Sequence, residues 1–218
     1  MLSVTLAAFV GKEALLAIAP VRGLPVDALV LVRGIALGGY YAVQLLAVRW
    51  LADRRGSSLG RALGGRARSL AERFAVLARV VLVVVGARAF GILYGLLMRQ
   101  AGFVPDSSAL LKTFGGRATG LVLAAVLVVC VGPVIEEIVF RGVLLQGLMT
   151  RLGAWPAIAV QAVVFAALHR SVWLFVPMTA LGAALGWLAW DRESIRPAIV
   201  AHAAYNAITV AAAFALRG

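Results

Sequence analysis

The sequence predicts an all-α protein, a polytopic transmembrane bundle of about seven helices, roughly six to eight. Of the 218 residues, 63% are hydrophobic and the mean hydropathy is +0.99, which is far too apolar for a soluble domain with a wettable surface. Apolar windows of about 17 to 25 residues, the length that crosses a bilayer, recur along the whole chain.

The predicted helices follow these windows in chain order. A retained, poorly hydrophobic first helix is expected in residues 1–23, where Lys12 and Glu13 interrupt the apolar stretch. Six further windows lie at about Val26 to Leu51, Phe74 to Met98, Ala118 to Met149, Trp155 to Leu168, Trp173 to Trp190 and Pro197 to Leu216. We expect residues 1–117 to form N-terminal helices, and residues 118–218 to form a core that carries the polar motifs.

One hydrophilic insertion, ADRRGSSLGRALGGRARSLAER at residues 52–73, predicts a basic loop or a short helix on the membrane surface. Loops rich in arginine stay in the cytoplasm, so we expect this loop to be cytoplasmic in a cell membrane. The net charge of +12 does not indicate nucleic-acid binding, because the arginines lie between apolar runs. Their expected neighbours are anionic lipid headgroups.

Three arginines fall inside windows that we expect to span the membrane: Arg33, Arg79 and Arg88. A charge at that depth is costly unless it reaches the interface or finds a partner. We therefore expect these side chains to snorkel or to pair with a neighbouring helix.

Two glycine pairs at four-residue spacing, Gly91 with Gly95 and Gly182 with Gly186, predict close helix approach. The single cysteine, Cys130, excludes an internal disulfide and a site built from several cysteines. In its apolar run we expect it to pack as a small hydrophobic residue.

The stretch PVIEEIVFRG, residues 133–142, places Glu136, Glu137 and Arg141 inside an apolar window. Unpaired, the three charges would cost about 8 to 10 kcal/mol on the insertion scale. Residues four apart share a helix face, so Glu137 and Arg141 are expected to form an ion pair. Glu136 points about 100° away and needs another partner.

Both histidines of the chain also lie in apolar windows. FAALH places Phe165 and His169 on one helix face, and HAAYN does the same for His202 and Asn206. Buried polar groups need partners, and these residues together with Glu136 are available to each other. We expect them to converge in one water-accessible cavity, with the two imidazole rings within about 12 Å. That requires the helix of His169 to extend past Arg170, or the helices to be tilted and offset.

These segments match three motifs, EExxxR, FxxxH and HxxxN, and the motifs follow one another in the order and at the approximate spacing found in a known family. On these residues the chain resembles the CPBP family, the CAAX proteases and bacteriocin-processing enzymes of the Abi family, related to type 2 CAAX prenyl endopeptidases. The resemblance covers about Ala118 to Ala212, and departs from the usual pattern at RESIRP, residues 192–197.

The resemblance implies an intramembrane endopeptidase that acts on a membrane-associated protein or peptide. Glu136 and His169 would activate the attacking water, and His202 and Asn206 would stabilise the oxyanion. Glu137, Arg141 and Phe165 would support these groups.

No cofactor is expected, although zinc remains an alternative. Glu136, His169 and His202 would supply two nitrogens and one carboxylate, which is a catalytic ligand count. The same residues suffice without a metal, and the chain has no HExxH helix. If His202 bound a metal, its assignment as a hydrogen-bond donor to the oxyanion would also be weakened.

Two alternatives from other functional classes stay open. A proton-coupled transporter also keeps charged residues at mid-membrane depth, but it favours two corresponding halves. Here the polar motifs lie in the C-terminal half alone. The other alternative is a non-catalytic scaffold of the same fold. Every motif position carries the expected residue type, which argues against this alternative.

The expected cytoplasmic location of the basic loop can be tested directly. A cysteine introduced by Ser58→Cys should resist an impermeant thiol reagent in intact cells and react after lysis, because the basic loop is expected inside. Labelling in intact cells would invert the orientation.

Overall fold

The computed structural model describes residues 25–54, 65, 69–103 and 109–216. All regular elements in these residues are helices, which confirms the all-α prediction. The seven helices described are α1 Val26–Arg54, α2 Leu70–Gln100, α3 Ala109–Phe114, α4 Ala118–Leu152, α5 Ala154–Ala167, α6 Val172–Asp191 and α7 Arg196–Ala215. The helix predicted in residues 1–23 lies outside the described residues, whereas α3 was not predicted.

Five of these helices, α1, α2, α4, α6 and α7, are long and apolar enough to cross a membrane. The chain is a multi-pass membrane protein. Helix α5 has only 14 residues, about 21 Å, which is short of a hydrocarbon core about 30 Å thick. The expectation that this window spans the membrane by itself is therefore wrong.

The helix ends follow local chemistry. At the start of α2, the Ser69 hydroxyl accepts from the Glu72 N–H, and the Glu72 carboxylate accepts from the Ser69 N–H. Between α4 and α5, Gly153 adopts φ 79°, a conformation that suits glycine. Helix α1 continues to Arg54, so the basic insertion begins later than predicted; its residues 55–64 and 66–68 lie outside the described part.

Helix α4 carries two stretches of wider π-helical turns, Ala125–Val131 and Ile138–Leu145. Such turns bond i to i+5, and they are frequent at functional sites. The two adjacent glutamates lie between them, on the short α-helical stretch Gly132–Glu137.

The chain forms two compact units. Of the described residues, the first contains 25–54, 109–135 and 206–216, and includes a core of Phe114, Ala124, Val210 and Phe214. The second contains 65, 69–103 and 136–205, and includes a core of Leu145, Ala157 and Ile158. The predicted organisation, with residues 1–117 and 118–218 as two regions of one integral domain, stays a prediction.

The three arginines inside apolar windows have partners, as predicted. In the second unit, Arg79 pairs with Asp191 at 3.1 Å, and Arg88 donates to the Tyr205 carbonyl and lies 3.6 Å from the centre of the Tyr205 ring. In the first unit, Arg33 donates to the Lys112 carbonyl.

Aromatic pairs mark both ends of α6. Phe103 and Trp173 have ring centroids 5.1 Å apart, and Trp155 and Trp190 have centroids 5.3 Å apart. The stretch of α6 between Trp173 and Trp190 is about 26 Å long, close to the thickness of a hydrocarbon core. The two pairs therefore indicate where this helix meets the membrane surfaces.

Candidate active site

The predicted ion pair between Glu137 and Arg141 is present and is fully buried. Neither side chain has exposed surface, and the Arg141 Nη1 donates to the Glu137 Oε1 at 2.7 Å. The pair closes across the first π-helical turn after Glu137. A buried pair with this geometry offsets much of the cost of placing both charges inside a span.

Glu137 also holds the imidazole of His202. The Nδ1 of His202 lies 2.8 Å from the same Oε1, and the ring is only 3% exposed. Its Nε2 lies 3.9 Å from the Oε2 of Glu136, a carboxylate that keeps 20% of its side-chain surface exposed. The two adjacent glutamates thus meet opposite nitrogens of one imidazole.

Phe165 links the two histidines. Its backbone carbonyl lies 2.9 Å from the His169 Nδ1, and its ring centroid lies 4.7 Å from that of His169 and 5.8 Å from that of His202. The two imidazole centroids are therefore no further apart than the sum of these two distances, which is below the 12 Å limit. The predicted proximity of the histidines is confirmed.

Of the two arrangements offered for bringing the histidines together, the one in which the helix of His169 extends past Arg170 is not observed. Helix α5 ends at Ala167, and His169 lies in the following turn, where it is exposed. Arg170 has φ 51°, a left-handed conformation that does not continue a helix. The side-chain bond to the Phe165 carbonyl nevertheless keeps His169 against the end of α5.

Gln161 belongs to this network and was missed by the sequence analysis. It is fully buried, and its Nε2 donates to the Gly182 carbonyl at 2.8 Å and to the Ile158 carbonyl at 3.1 Å. The same Gly182 carbonyl accepts from the Arg141 Nη2 at 3.0 Å. The available signal was that Gln161 is the single polar side chain in the apolar sequence of α5.

The two glycine pairs differ in the space around them. A Cβ on Gly182 would lie 3.1 Å from the Cα of Ala162, and one on Gly186 would lie 2.6 Å from the Gln161 Nε2. Apart from its own helix backbone, a Cβ on Gly95 would meet no atom of the described residues within 4 Å, and one on Gly91 would lie 3.9 Å from the Tyr205 hydroxyl oxygen. The prediction of close approach holds for the α5–α6 pair; at Gly91 and Gly95 the described residues show none.

Asn206 belongs to the first unit. There its Nδ2 donates to the Val128 carbonyl at 2.9 Å. It lies one helical turn after His202 on α7, as the motif predicts. Its assignment to an oxyanion site rests on the sequence pattern.

A metal site is not assembled within the described ranges: no three His, Cys, Asp or Glu side chains are grouped to hold one ion. Glu136, His169 and His202 thus do not form a ligand set in this arrangement. Cys130, expected to pack inside an apolar run, is exposed in the first unit.

Comparison with known proteins identifies one family. Residues 118–208 match the family model described as Rce1-like, type II CAAX prenyl endopeptidase Rce1-like. The match covers a little under half of the chain and includes all three motifs. No curated protein and no solved structure matches significantly.

The contrast between the glycine pairs gives a test of packing. Gly182→Ala should lower the free energy of unfolding by about 1 to 3 kcal/mol, because the new methyl group meets the α5 backbone. Gly95→Ala is the matched control: it should be neutral or stabilising by up to about 1 kcal/mol, because open space surrounds it and alanine favours a helix. Thermal unfolding in detergent measures both. Equal destabilisation by the two variants would contradict the packing described.

Proposed function

We propose that this chain cleaves a membrane-associated protein or peptide with water activated by Glu136 and His169. The match of residues 118–208 to the Rce1-like family model of type II CAAX prenyl endopeptidases supports this proposal. The proposed substrates are embedded in the bilayer or anchored to it by a lipid, and nucleic acid is not among the partners. The proposed location is a cell membrane, with the 52–73 loop in the cytoplasm.

The contrast between the two adjacent glutamates carries this proposal. Glu137 has no exposed surface and already accepts from Arg141 and His202, so it is poorly placed to meet a substrate. Glu136 keeps 20% exposure, and its Oε2 lies 3.9 Å from the His202 Nε2. That gap is too wide for a direct hydrogen bond, but one oxygen atom bonded to both groups fits it.

The hydrogen bond of His169 supports its role as a proton acceptor. A backbone carbonyl only accepts, so the Nδ1 that faces the Phe165 carbonyl carries the proton. In the neutral ring this leaves the lone pair on Nε2. His169 is exposed, and in this proposal the attacking water approaches this nitrogen, which shares with Glu136 the proton that the water releases.

His202 is proposed as a donor to the oxyanion. Its Nδ1 donates to Glu137, and this bond fixes the orientation of the ring. In the doubly protonated ring that this role requires, the Nε2–H points toward the gap beside Glu136, where the carbonyl oxygen becomes negative. Asn206 is proposed as the second donor from its position one turn along α7. Collapse of the tetrahedral intermediate returns the proton to the leaving amine.

We propose metal-free catalysis, with zinc on Glu136, His169 and His202 as the alternative. Both imidazoles use Nδ1 for a protein acceptor, so both would offer Nε2 to an ion. Once a cleaved peptide is identified, turnover by the purified protein should survive a zinc chelator. Loss of turnover that zinc restores would favour the metal.

Glu136→Gln should reduce cleavage by at least about a hundredfold while the protein still inserts and accumulates, because it removes the base but keeps size and most hydrogen bonds. Mass spectrometry of membrane and secreted peptides, in cells with the intact protein and with the variant, measures the effect and identifies the substrate. Asp53→Asn is the matched control, since it removes a carboxylate that is 71% exposed at the end of α1.

The alternatives give a different outcome in the same experiment. A proton-coupled transporter or a non-catalytic scaffold would show no peptide whose amount depends on Glu136. Such a result with normally accumulating protein would refute the protease assignment for this chain.

Glu137→Gln should instead lower stability, because Arg141 loses its countercharge at a fully buried position. Removing one partner of a buried pair costs about 3 to 5 kcal/mol, visible as a lower unfolding temperature or lower abundance. Adding Arg141→Met should restore part of the stability without restoring turnover, because His202 still lacks its carboxylate. If Glu136→Gln is the unstable variant and Glu137→Gln is stable but inactive, the two roles are reversed.

A further inference from the structure

A groove of about 660 Å³ opens in the second unit, between the first turns of α2 and the start of α7. The turn Arg192–Ser194 between α6 and α7 closes one end of it. Its walls are apolar, made by Val76, Leu77, Val80 and Val200. None of the residues assigned to catalysis lines it.

Basic side chains surround the groove. Arg73, Arg192 and Arg196 line it together with two glutamates, Glu72 and Glu193. Glu72 is engaged at the α2 N-terminus, where its carboxylate accepts from the Ser69 N–H. The Nε atoms of Arg192 and Arg196 are buried and have no hydrogen-bond partner in the described part of the chain. Three arginines against two glutamates leave the lining one positive charge in excess, and Arg192 also lies 3.9 Å from the Asp191 carboxylate. The two Nε atoms without a partner among the described residues are the feature that favours an anion.

The groove lies at the level of a membrane surface. Arg192 follows directly after α6, two residues beyond Trp190 of the Trp155–Trp190 pair. Arg73 and Arg196 stand in the first turns of two helices that are candidate spans. Aromatic pairs of this kind mark headgroup depth, so the guanidinium groups meet the headgroups. The apolar walls, one or two turns further along α2 and α7, extend toward the hydrocarbon.

We propose that this groove binds one anionic glycerophospholipid, with the phosphate among the three arginines and an acyl chain along the apolar walls. Basic pockets between spans bind acidic headgroups in this way. Gly65, from the basic insertion, also lines the groove.

The groove and the catalytic groups use different faces of α7. Val200 and His202 are two residues apart, which turns their side chains about 200° from each other. Lipid in the groove therefore does not compete with a substrate at Glu136. The proposal depends only on membrane insertion and is independent of the protease mechanism.

Native mass spectrometry and thermal unfolding of the full chain in a neutral detergent test this directly. Phosphatidylglycerol should be retained at one copy and should raise the unfolding temperature in a saturable manner. Phosphatidylcholine with the same acyl chains should bind at least about tenfold more weakly, because its headgroup has no net charge. Inorganic phosphate should give no comparable shift, because it lacks the apolar part.

Two kinds of variant locate the site. Arg192→Gln with Arg196→Gln should weaken phosphatidylglycerol binding at least about tenfold. Arg99→Gln with Arg151→Gln, an equal loss of charge at exposed positions outside the groove, should leave it unchanged. Val200→Trp should block the groove while keeping every charge, whereas Val85→Trp, at an exposed valine of α2 outside the groove, should not.

Three outcomes would overturn the proposal. Equal binding of the two phospholipids would show that charge is not recognised. A shift with phosphate that Val200→Trp leaves intact would indicate a small anion without an acyl chain. Control variants as damaging as the groove variants would indicate attraction by the basic surface as a whole.

Discussion

A fully buried ion pair inside a membrane span constrains the structure around it. Glu137 and Arg141 have no exposed side-chain surface, and lipid offers neither charge a hydrogen bond. The surrounding helices have to supply partners: α6 provides the Gly182 carbonyl to Arg141, and α7 provides His202 to Glu137. The site is therefore a packing element as well as a chemical one, since separating any of these helices would expose a charge to an apolar medium.

The Gly182 carbonyl connects this polar network to helix packing. It accepts from both Arg141 and Gln161, which is within the capacity of its two lone pairs. Helix α5 reaches it because Gly182 and Gly186 present no side chains to Ala162 and Gln161. Gly182 lies about midway between Trp173 and Trp190, so the network sits near mid-depth, where unpaired charge is most costly.

The sequence predicted what depends on local pattern. The window Trp173 to Trp190 is observed as Val172–Asp191, because apolar length decides where a span begins and ends. The Glu137–Arg141 pair follows from helix periodicity alone. Contacts across 65 residues, such as that of Glu137 with His202, depend on how helices pack, which one sequence does not specify. The apolar window Trp155 to Leu168 ends close to the observed end of α5 at Ala167. An extension past Arg170 was offered as one alternative, and the left-handed Arg170, which carries no glycine or proline signal, excludes it.

In the proposed mechanism, the adjacency of Glu136 and Glu137 explains the use of two glutamates rather than one. A carboxylate that balances a buried arginine must be sealed from water, since exposure would weaken the pair. A carboxylate that activates water must remain accessible, so one side chain cannot satisfy both requirements. Neighbouring residues on a helix point about 100° apart, which lets the first face the gap beside His202 while the second lies behind that imidazole. The sealed glutamate then orients the ring that the exposed one faces, so the charge that stabilises the fold also sets the geometry of the proposed chemistry.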